Sequence, residues 1–516
     1  MNIYELIVFT IYFVAMIAIG IFFFVKKKAK SEKDYFIGGR NISGAVAALS
    51  AGASDMSAWV LMGLPGLIFA FGLSRIWISI GLLIGTILAW LIVAPRLRRF
   101  AIKAGDAITV PEFLSNRFKA KNPTLRVCCA VIFVIAYCIY SASSIAACGD
   151  VFVSIIPTAD KKIVQIIAAV VIVSYTLIGG FNAVCWTDFI QGMLMLMALM
   201  LVPIIMLGVI KTSGPVGTTS APIDNFWSLL ASGKFDWASI SEILTGLAWG
   251  LGYFGMPHIL IRYMSIKSEK EMKKSQKIGI IWLFFILLFA TLFALLARTF
   301  LGDSLPKDDR NLVFIKVIQT IFRPGAIALI GGLFLSAIIA ASMSTADSQL
   351  LASSSAFSSD IYKTSIRKKA SNKEMLWVGR LTVAFISIVA LLIALFVSND
   401  IMQLVSAAWS IFGASFGPVI LLSLFWKRFN YKGAITGIIV GFVSSILWMI
   451  LFNLEYYGFT SILANTNLYE LLPGFILSML SAVIVTLATK APSKEVVKLF
   501  ESVGKSVEND EVELVD

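Results

Sequence analysis

Apolar residues run along this chain in blocks of about twenty, and the charges collect in the gaps between the blocks. A block of that length crosses hydrocarbon as an α-helix. The pattern predicts about thirteen spans: Ile3–Val25, Gly44–Leu73, Ile76–Ala94, Val127–Ile145, Ile163–Leu177, Phe189–Val209, Ile240–Ile261, Ile278–Leu296, Ala326–Leu351, Leu376–Val397, Met402–Phe425, Ala434–Phe452 and Leu472–Leu487. The fold class this implies is an all-α polytopic membrane protein.

Two spans do not read as plain helices. In the second, AALSAGASDMSAWVLMGLPG (Ala47–Gly66) sets Asp55, Met56 and Ser57 behind Gly52, Ala53 and Ser54. A carboxylate inside a hydrophobic span is costly unless something offsets it, and such residues are functional by default. Small residues let the helix unwind, and the freed carbonyls need a partner. One Asp beside freed carbonyls is an all-oxygen setting that suits a hard cation. A kinked helix with Asp55 paired to a neighbour fits the same string. The seventh span, ILTGLAWGLGYFGMPHILIRY, is broken by Gly246, Gly250, Gly252, Gly255 and Pro257. Interruptions five spans apart point to two inverted five-helix units, the sequence mark of a secondary transporter. The division is 1–43 (first span and loop), 44–211 (first repeat), 212–239 (outer loop), 240–426 (second repeat), 427–490 (two peripheral spans) and 491–516 (tail).

Gly250–Gly255 matches GxGxxG, but no strand precedes it and no βαβ unit surrounds it, so dinucleotide binding is rejected. The glycines serve either close helix packing or a flexible break that exposes Trp249 and Tyr253 to a solute. Trp249, Tyr253 and Pro257 share one helical face. In the ninth span Ala341, Ser344, Thr345 and Ser348 follow i, i+3, i+4, i+7 and form one stripe. Isolated hydroxyls often only bond back to the i−4 carbonyl or join helices. A hydroxyl pair with carbonyls of an unwound helix supplies about five oxygens, enough for dehydrated Na⁺.

Composition agrees with the spans: 58% of residues are hydrophobic and 14% charged, and mean hydropathy is +0.88. The net charge of +13 is no nucleic-acid footprint, because 33 of the 43 Lys and Arg fall in alternate gaps between spans. By the positive-inside rule those gaps are cytoplasmic, the N-terminus is outside and the C-terminus inside, in a plasma membrane. The first span is followed, not preceded, by its lysines, so it reads as permanent rather than as a cleaved signal. Lys211–Ser239 reads as an outer lid or cap, and Thr109–Phe118 as a short amphipathic helix capped by Thr109. The tail from Pro492 reads as soluble and ends in the acidic stretch Glu508–Asp516. Five cysteines in or beside apolar segments do not make a disulfide framework. The single histidine, His258, supports neither a His-ligated metal nor a catalytic triad, so the chain does not read as an enzyme.

The strings YFIGGR (Tyr35–Arg40), SAGASDMS, LMGLPG, IGGFNAVCWTD (Ile178–Asp188), LAWGLGYFGMPH (Leu247–His258) and MST…SQLL (Met343–Leu351) together resemble the sodium/solute symporter family, most closely its proline-transporting members. The resemblance covers essentially the whole chain. It implies a LeuT-type five-plus-five inverted repeat with extra terminal helices, and Na⁺-coupled import of L-proline by alternating access, without an organic cofactor. It implies Na⁺ ligation by the carbonyls of Ala53, Met56 and Ala341 and the hydroxyls of Ser344 and Thr345, with Asp55 beside them. It assigns Tyr140, Trp249, Tyr253 and Pro257 to the substrate, and Ser57 in the broken second span is a further substrate-site candidate. In members with a second Na⁺, positions matching Asp188, Asp347 and Ser348 form that site; pairing of Asp347 with a basic residue is the competing reading. The chain departs from the proline-transporter pattern at Ala58, Met256 and Asp347. Two other readings are another small solute, such as a different amino acid or a monocarboxylate, and a transporter-like membrane sensor. The absence of a signalling module after the last span counts against the sensor.

Overall fold

The computed structural model describes residues 3–26, 31–156, 158–218, 224–323, 325–397, 400–457 and 460–504. The acidic stretch Glu508–Asp516 and the lysines Lys27, Lys28 and Lys30 lie outside the described residues. The described chain is helical, with one isolated bridge, Ile42 to Ile266, and no strand.

The helices used below are α1 (Ile3–Lys26), α2 (Gly44–Asp55), α3 (Gly63–Phe71), α4 (Leu73–Lys103), α5 (Thr124–Ile155), α6 (161–179), α7 (Gly180–Ser213), α8 (Trp237–Ala248), α9 (Pro257–Ser265), α10 (Glu269–Leu301), α11 (Val313–Phe322), α12 (Ala328–Ser355), α13 (Asn372–Phe396), α14 (Ile401–Phe425), α15 (Tyr431–Trp448), α16 (Leu471–Ala488) and α17 (Lys494–Gly504). Helix occurs at each of the thirteen predicted places. Among the described residues ten helices are long and apolar enough to cross a bilayer, and α2 with α3 forms one more, bent by 72°. The fifth and seventh places each have a break of their own. α6 ends at Gly180, whose φ of +61° ends the helical run, and the seventh is split into α8, a 3₁₀ segment Trp249–Phe254, and α9.

The glycines of the seventh span are spent on packing. A Cβ on Gly250 would lie 2.2 Å from the Gly81 carbonyl oxygen, and one on Gly255 would lie 2.4 Å from that of Phe412. The broken span is thus wedged between the backbones of α4 and α14, which only residues without side chains allow. Gly252 is held against the Trp409 indole, which donates to the Trp249 carbonyl at 2.9 Å. The glycines of GxGxxG do pack closely, and this packing fixes where Trp249 and Tyr253 stand.

Two of the quoted strings meet each other. Gly38 and Gly39 of YFIGGR have φ of +63° and +62°, and the turn seats Gly38 on the Asn182 side chain and Tyr35 on Gly180. Arg40 is buried and donates to Asp106 at 2.6 Å, to the Ala107 carbonyl at 2.5 Å and to the Met264 carbonyl. Arg98 pairs with Glu269, Lys363 with Glu32, and Lys427 with Glu501. These contacts gather the basic gaps of the sequence on one face of the bundle. Thr109 caps Val110–Arg117 by accepting from the Glu112 amide at 3.1 Å, as its sequence predicts. On the opposite face the described part of the 211–239 loop covers the turn between α3 and α4: Phe226 accepts from the Leu73 amide at 2.7 Å, and Leu229 from the Trp77 indole at 3.0 Å.

Candidate substrate and ion sites at the broken helices

The last carbonyls of a helix have no intrahelical partner, so those of α2 must find donors elsewhere. The Gly52 carbonyl takes the Met56 amide at 2.9 Å. The Asp55 carbonyl takes the Trp59 indole at 3.1 Å and the Tyr140 hydroxyl at 3.3 Å. The Ala53 carbonyl faces α12, where it accepts the Ser344 hydroxyl at 2.9 Å and the Thr345 hydroxyl at 3.4 Å. Ser344 lies 3.1 Å from the Ala341 carbonyl as well. Four of the expected ion-site oxygens therefore converge across the α2–α12 contact, from residues about 290 positions apart. Met56 is buried in the break and holds the α2 C-cap.

Asp55 turns the other way. Its carboxylate accepts the Tyr253 hydroxyl and lines, with Thr86 and Tyr263, a cavity of about 10 Å³. It is 1% exposed. Asp188 is answered by Arg262 at 2.8 Å and Asp360 by Arg126 at 2.7 Å, whereas Asp55 forms no ion pair among the described residues. A buried anion without a protein cation is expensive, so the break is a place that favours a mobile one. The Ser57 hydroxyl, also in the break, is buried and finds no hydrogen-bond partner among the described residues.

The residues expected to face the substrate lie close to one another. Tyr140 and Tyr253 both bond to Asp55, at its carbonyl and its carboxylate, and Pro257 opens α9 in its first turn. Trp249 stacks on Tyr469 with centroids 5.0 Å apart at 18°, and stands 6.2 Å from Trp59 and 6.1 Å from Trp409. Tyr253 meets Trp409 edge-on at 5.4 Å. Trp59, Trp409 and Tyr469 were missed by sequence reasoning: an apolar span does not distinguish a pocket aromatic from a packed one, and Tyr469 lies in the gap before the last predicted span.

At the inner end of the stripe, Ser348 meets Asp188. Arg262 stands between them: it donates to Asp188 at 2.8 Å, to Ser50 at 2.6 Å and to Ser348, while Ser50 donates to Asp188 at 2.6 Å. Ser348 lies 3.2 Å from the Asp347 carboxylate. Arg262 counts as an inner-loop charge in the sequence, yet it is 2% exposed, drawn into the core by Asp188. His258 is buried too, with Tyr137 3.2 Å from its Nδ1, and its carbonyl accepts from Arg262 at 2.7 Å.

Two discontinuous helices in a bundle, with freed carbonyls facing a hydroxyl stripe, are the architecture of a secondary transporter. The sodium:solute symporter family profile matches residues 35–441. The chain is 42% identical to the osmoregulated proline transporter OpuE of Bacillus subtilis over 97% of this chain and 98% of that protein. It is 39% identical to a sodium/proline symporter of Staphylococcus aureus, over 94% and 93%. Among solved structures, a Na⁺-coupled sialic acid symporter in a substrate-bound outward-open state superposes with a TM-score of 0.74 at 20% identity, over 95% of this chain and 99% of that one. The chain belongs to the sodium:solute symporter family. It is a secondary transporter and not an enzyme.

Proposed function

We propose that this protein imports L-proline into the cell across the plasma membrane, driven by Na⁺, with its N-terminus outside. The observation that carries the ion half of this reading is the Ala53 carbonyl, turned out of the broken α2 onto Ser344 and Thr345. Na⁺ would take the carbonyls of Ala53, Met56 and Ala341 with those two hydroxyls, which can turn their lone pairs toward it. Asp55 contributes charge from beside the site rather than as a ligand. With α2 and α12 joined through the ion, the break is held in one shape, and the substrate carboxylate can take exposed backbone amides and the spare Ser57 hydroxyl. The pyrrolidine ring packs among Trp249, Tyr253 and Tyr140. Each ligand thus stabilises the arrangement that binds the other. The solute is supported by the names of the proline-transporting relatives, and the orientation by the basic gaps gathered on one face.

Labelled proline uptake into membrane vesicles tests the reading. Uptake should require an inward Na⁺ gradient and should be displaced by unlabelled proline ahead of other amino acids and monocarboxylates. Stronger displacement by another solute would replace proline as the substrate. Trp249→Ala should weaken proline binding by about 30-fold, the loss of about 2 kcal/mol typical of a buried aromatic anchor. Na⁺ binding, followed separately, should fall much less; equal loss of both would indicate a disrupted fold.

The second cation position calls for a different assignment. Arg262 occupies the polar cluster of Asp188 and Ser348, so we assign it as the tethered cation of that place, leaving Na⁺ to the Ala53 site alone. The reversal potential in proteoliposomes should then give one Na⁺ per proline, both in the unaltered protein and in Asp347→Asn. A ratio of two would put a mobile cation back at Asp188, Asp347 and Ser348.

A further inference from the structure

On the face of the basic gaps, the end of α14 is held by two arginines that no carboxylate answers. Arg117 is fully buried and donates from Nε to the Ser423 carbonyl at 3.0 Å. Arg96, half-buried on α4, donates from Nε to the Leu424 carbonyl. These are among the last carbonyls of α14, which lack a partner within the helix. A helix C-terminus carries about half a negative charge, set here against two whole positive ones. On the same face Arg98 pairs with Glu269 and Lys427 with Glu501, whereas neither Arg96 nor Arg117 forms an ion pair among the described residues. Both terminal nitrogens of Arg117 are buried without a hydrogen-bond partner. Burial first, and then the Arg96 charge, push the Arg117 guanidinium down to about 10. Buried polar atoms are nearly always paired, so this cation pair calls for an explanation.

The tail helix covers the pair. Each guanidinium lies 5.0 Å from the ring centroid of Phe500 in α17. Val496, Leu499, Phe500 and Val503 follow i, i+3, i+4, i+7 and make the apolar face by which α17 docks. Lys103 fastens it by donating to the Ser502 carbonyl at 2.8 Å. Arg96 also reaches the lipid-facing surface of the bundle. Its guanidinium lies 5.4 Å from the ring centroid of Phe425, which is exposed. On α4, Leu88 and Ile92 are exposed as well. The π turn Ala89–Val93 adds a residue to its turn, so Leu88, Ile92 and Arg96 stay in line along the helix. An exposed apolar strip that ends in an unanswered cation at the edge of a span is the complement of a phospholipid with an anionic headgroup.

We propose that an anionic phospholipid binds at this junction of α4 and α14, with its phosphate on Arg96, the Arg117 charge behind it, and its acyl chains along Leu88, Ile92 and Phe425. The phosphate supplies the negative charge that the α14 terminus supplies only in part. The paired N–H groups of an arginine match two phosphate oxygens, which gives the contact geometry as well as charge. α14 also carries Trp409, whose indole holds the Trp249 carbonyl, so the lipid steadies a helix that backs the broken span. The site does not depend on which solute is carried.

Photo-crosslinking in vesicles tests it. The full-length protein is placed in phosphatidylcholine vesicles with a trace of phosphatidylglycerol that carries a photoreactive acyl chain, and the labelled residues are mapped. Label is expected at Leu88, Ile92 and Phe425, well above that at Leu381 and Phe385, which are exposed on α13. A photoreactive phosphatidylcholine with the same chains should show no such preference. Arg96→Gln keeps a donor for the Leu424 carbonyl and should cut the preferred labelling by about 10-fold or more, as loss of a charge-assisted contact does. Arg96→Lys should keep most of it, and Arg99→Gln should leave it unchanged. Equal labelling of the strip by the two lipids, or full labelling in Arg96→Gln, would overturn the site and leave an ordinary lipid-facing surface. Loss of the label on adding inorganic phosphate would overturn it as well, because the arginines would then hold a free anion. Should Arg96→Gln fail to reach the membrane, the comparison of the two lipids on the unaltered protein decides alone.

Discussion

Asp55→Asn should abolish Na⁺-driven proline uptake while leaving the protein in the membrane. The substitution keeps the size of the side chain and an acceptor for the Tyr253 hydroxyl, so the fold has little reason to fail. What it removes is the one negative charge at the break, which no basic side chain among the described residues answers. Two unit charges about 6 Å apart at an effective dielectric of about 20 attract by about 3 kcal/mol. Losing that attraction weakens Na⁺ binding by about 100-fold. The measurements are uptake against Na⁺ concentration and the amount of protein in the membrane. Normal uptake at ordinary Na⁺ would show that the carboxylate is there only to hold Tyr253. The structure makes this a prediction about charge and not about ligation, because the carboxylate faces Tyr253 while the Ala53 carbonyl faces α12.

Ser344→Ala and Thr345→Ala should each raise the Na⁺ concentration needed for half-maximal uptake, by about 10-fold or more. Each deletes an oxygen at the proposed ion position, and a hydrogen bond or ligand contact to a charged group is worth about 1.5–3 kcal/mol. Ser344, at 2.9 Å from the Ala53 carbonyl, should have the larger effect; Thr345, at 3.4 Å, the smaller. Thr345→Ser keeps the hydroxyl and should restore most of the Na⁺ affinity. If both alanine variants kept the Na⁺ dependence of the unaltered protein, the hydroxyl stripe would be reduced to a contact that joins α2 to α12.

These predictions show how the two broken helices divide the work. α2 breaks after Gly52–Ser54 and supplies carbonyls. The span of α8 and α9 breaks at its glycines and supplies aromatic rings, because its glycines let it press between α4 and α14. Asp55 and Tyr253 join the two breaks directly, so a change at the ion position can reach the ring cluster through one hydrogen bond. That link gives the proposed coupling a physical route.

Much of this was readable from the sequence alone. Hydropathy over blocks of about twenty residues places the helices, because every backbone polar group in hydrocarbon must be bonded within its own segment. The breaks at Asp55 and Gly250–Pro257 are legible because glycine, proline and a lone carboxylate are all costly in a plain span. The Ser344–Thr345 stripe is legible because helical periodicity places those side chains on one face. Only the tertiary structure decided what each of these faces. It turned Ala53 to α12 and Asp55 to Tyr253, and drew Arg262 out of a loop count and into a buried contact with Asp188. The reason is that a periodicity fixes the direction of a side chain relative to its own helix, whereas its partner comes from helices tens to hundreds of residues away, and their placement depends on how the glycine-lined surfaces of the whole bundle close together.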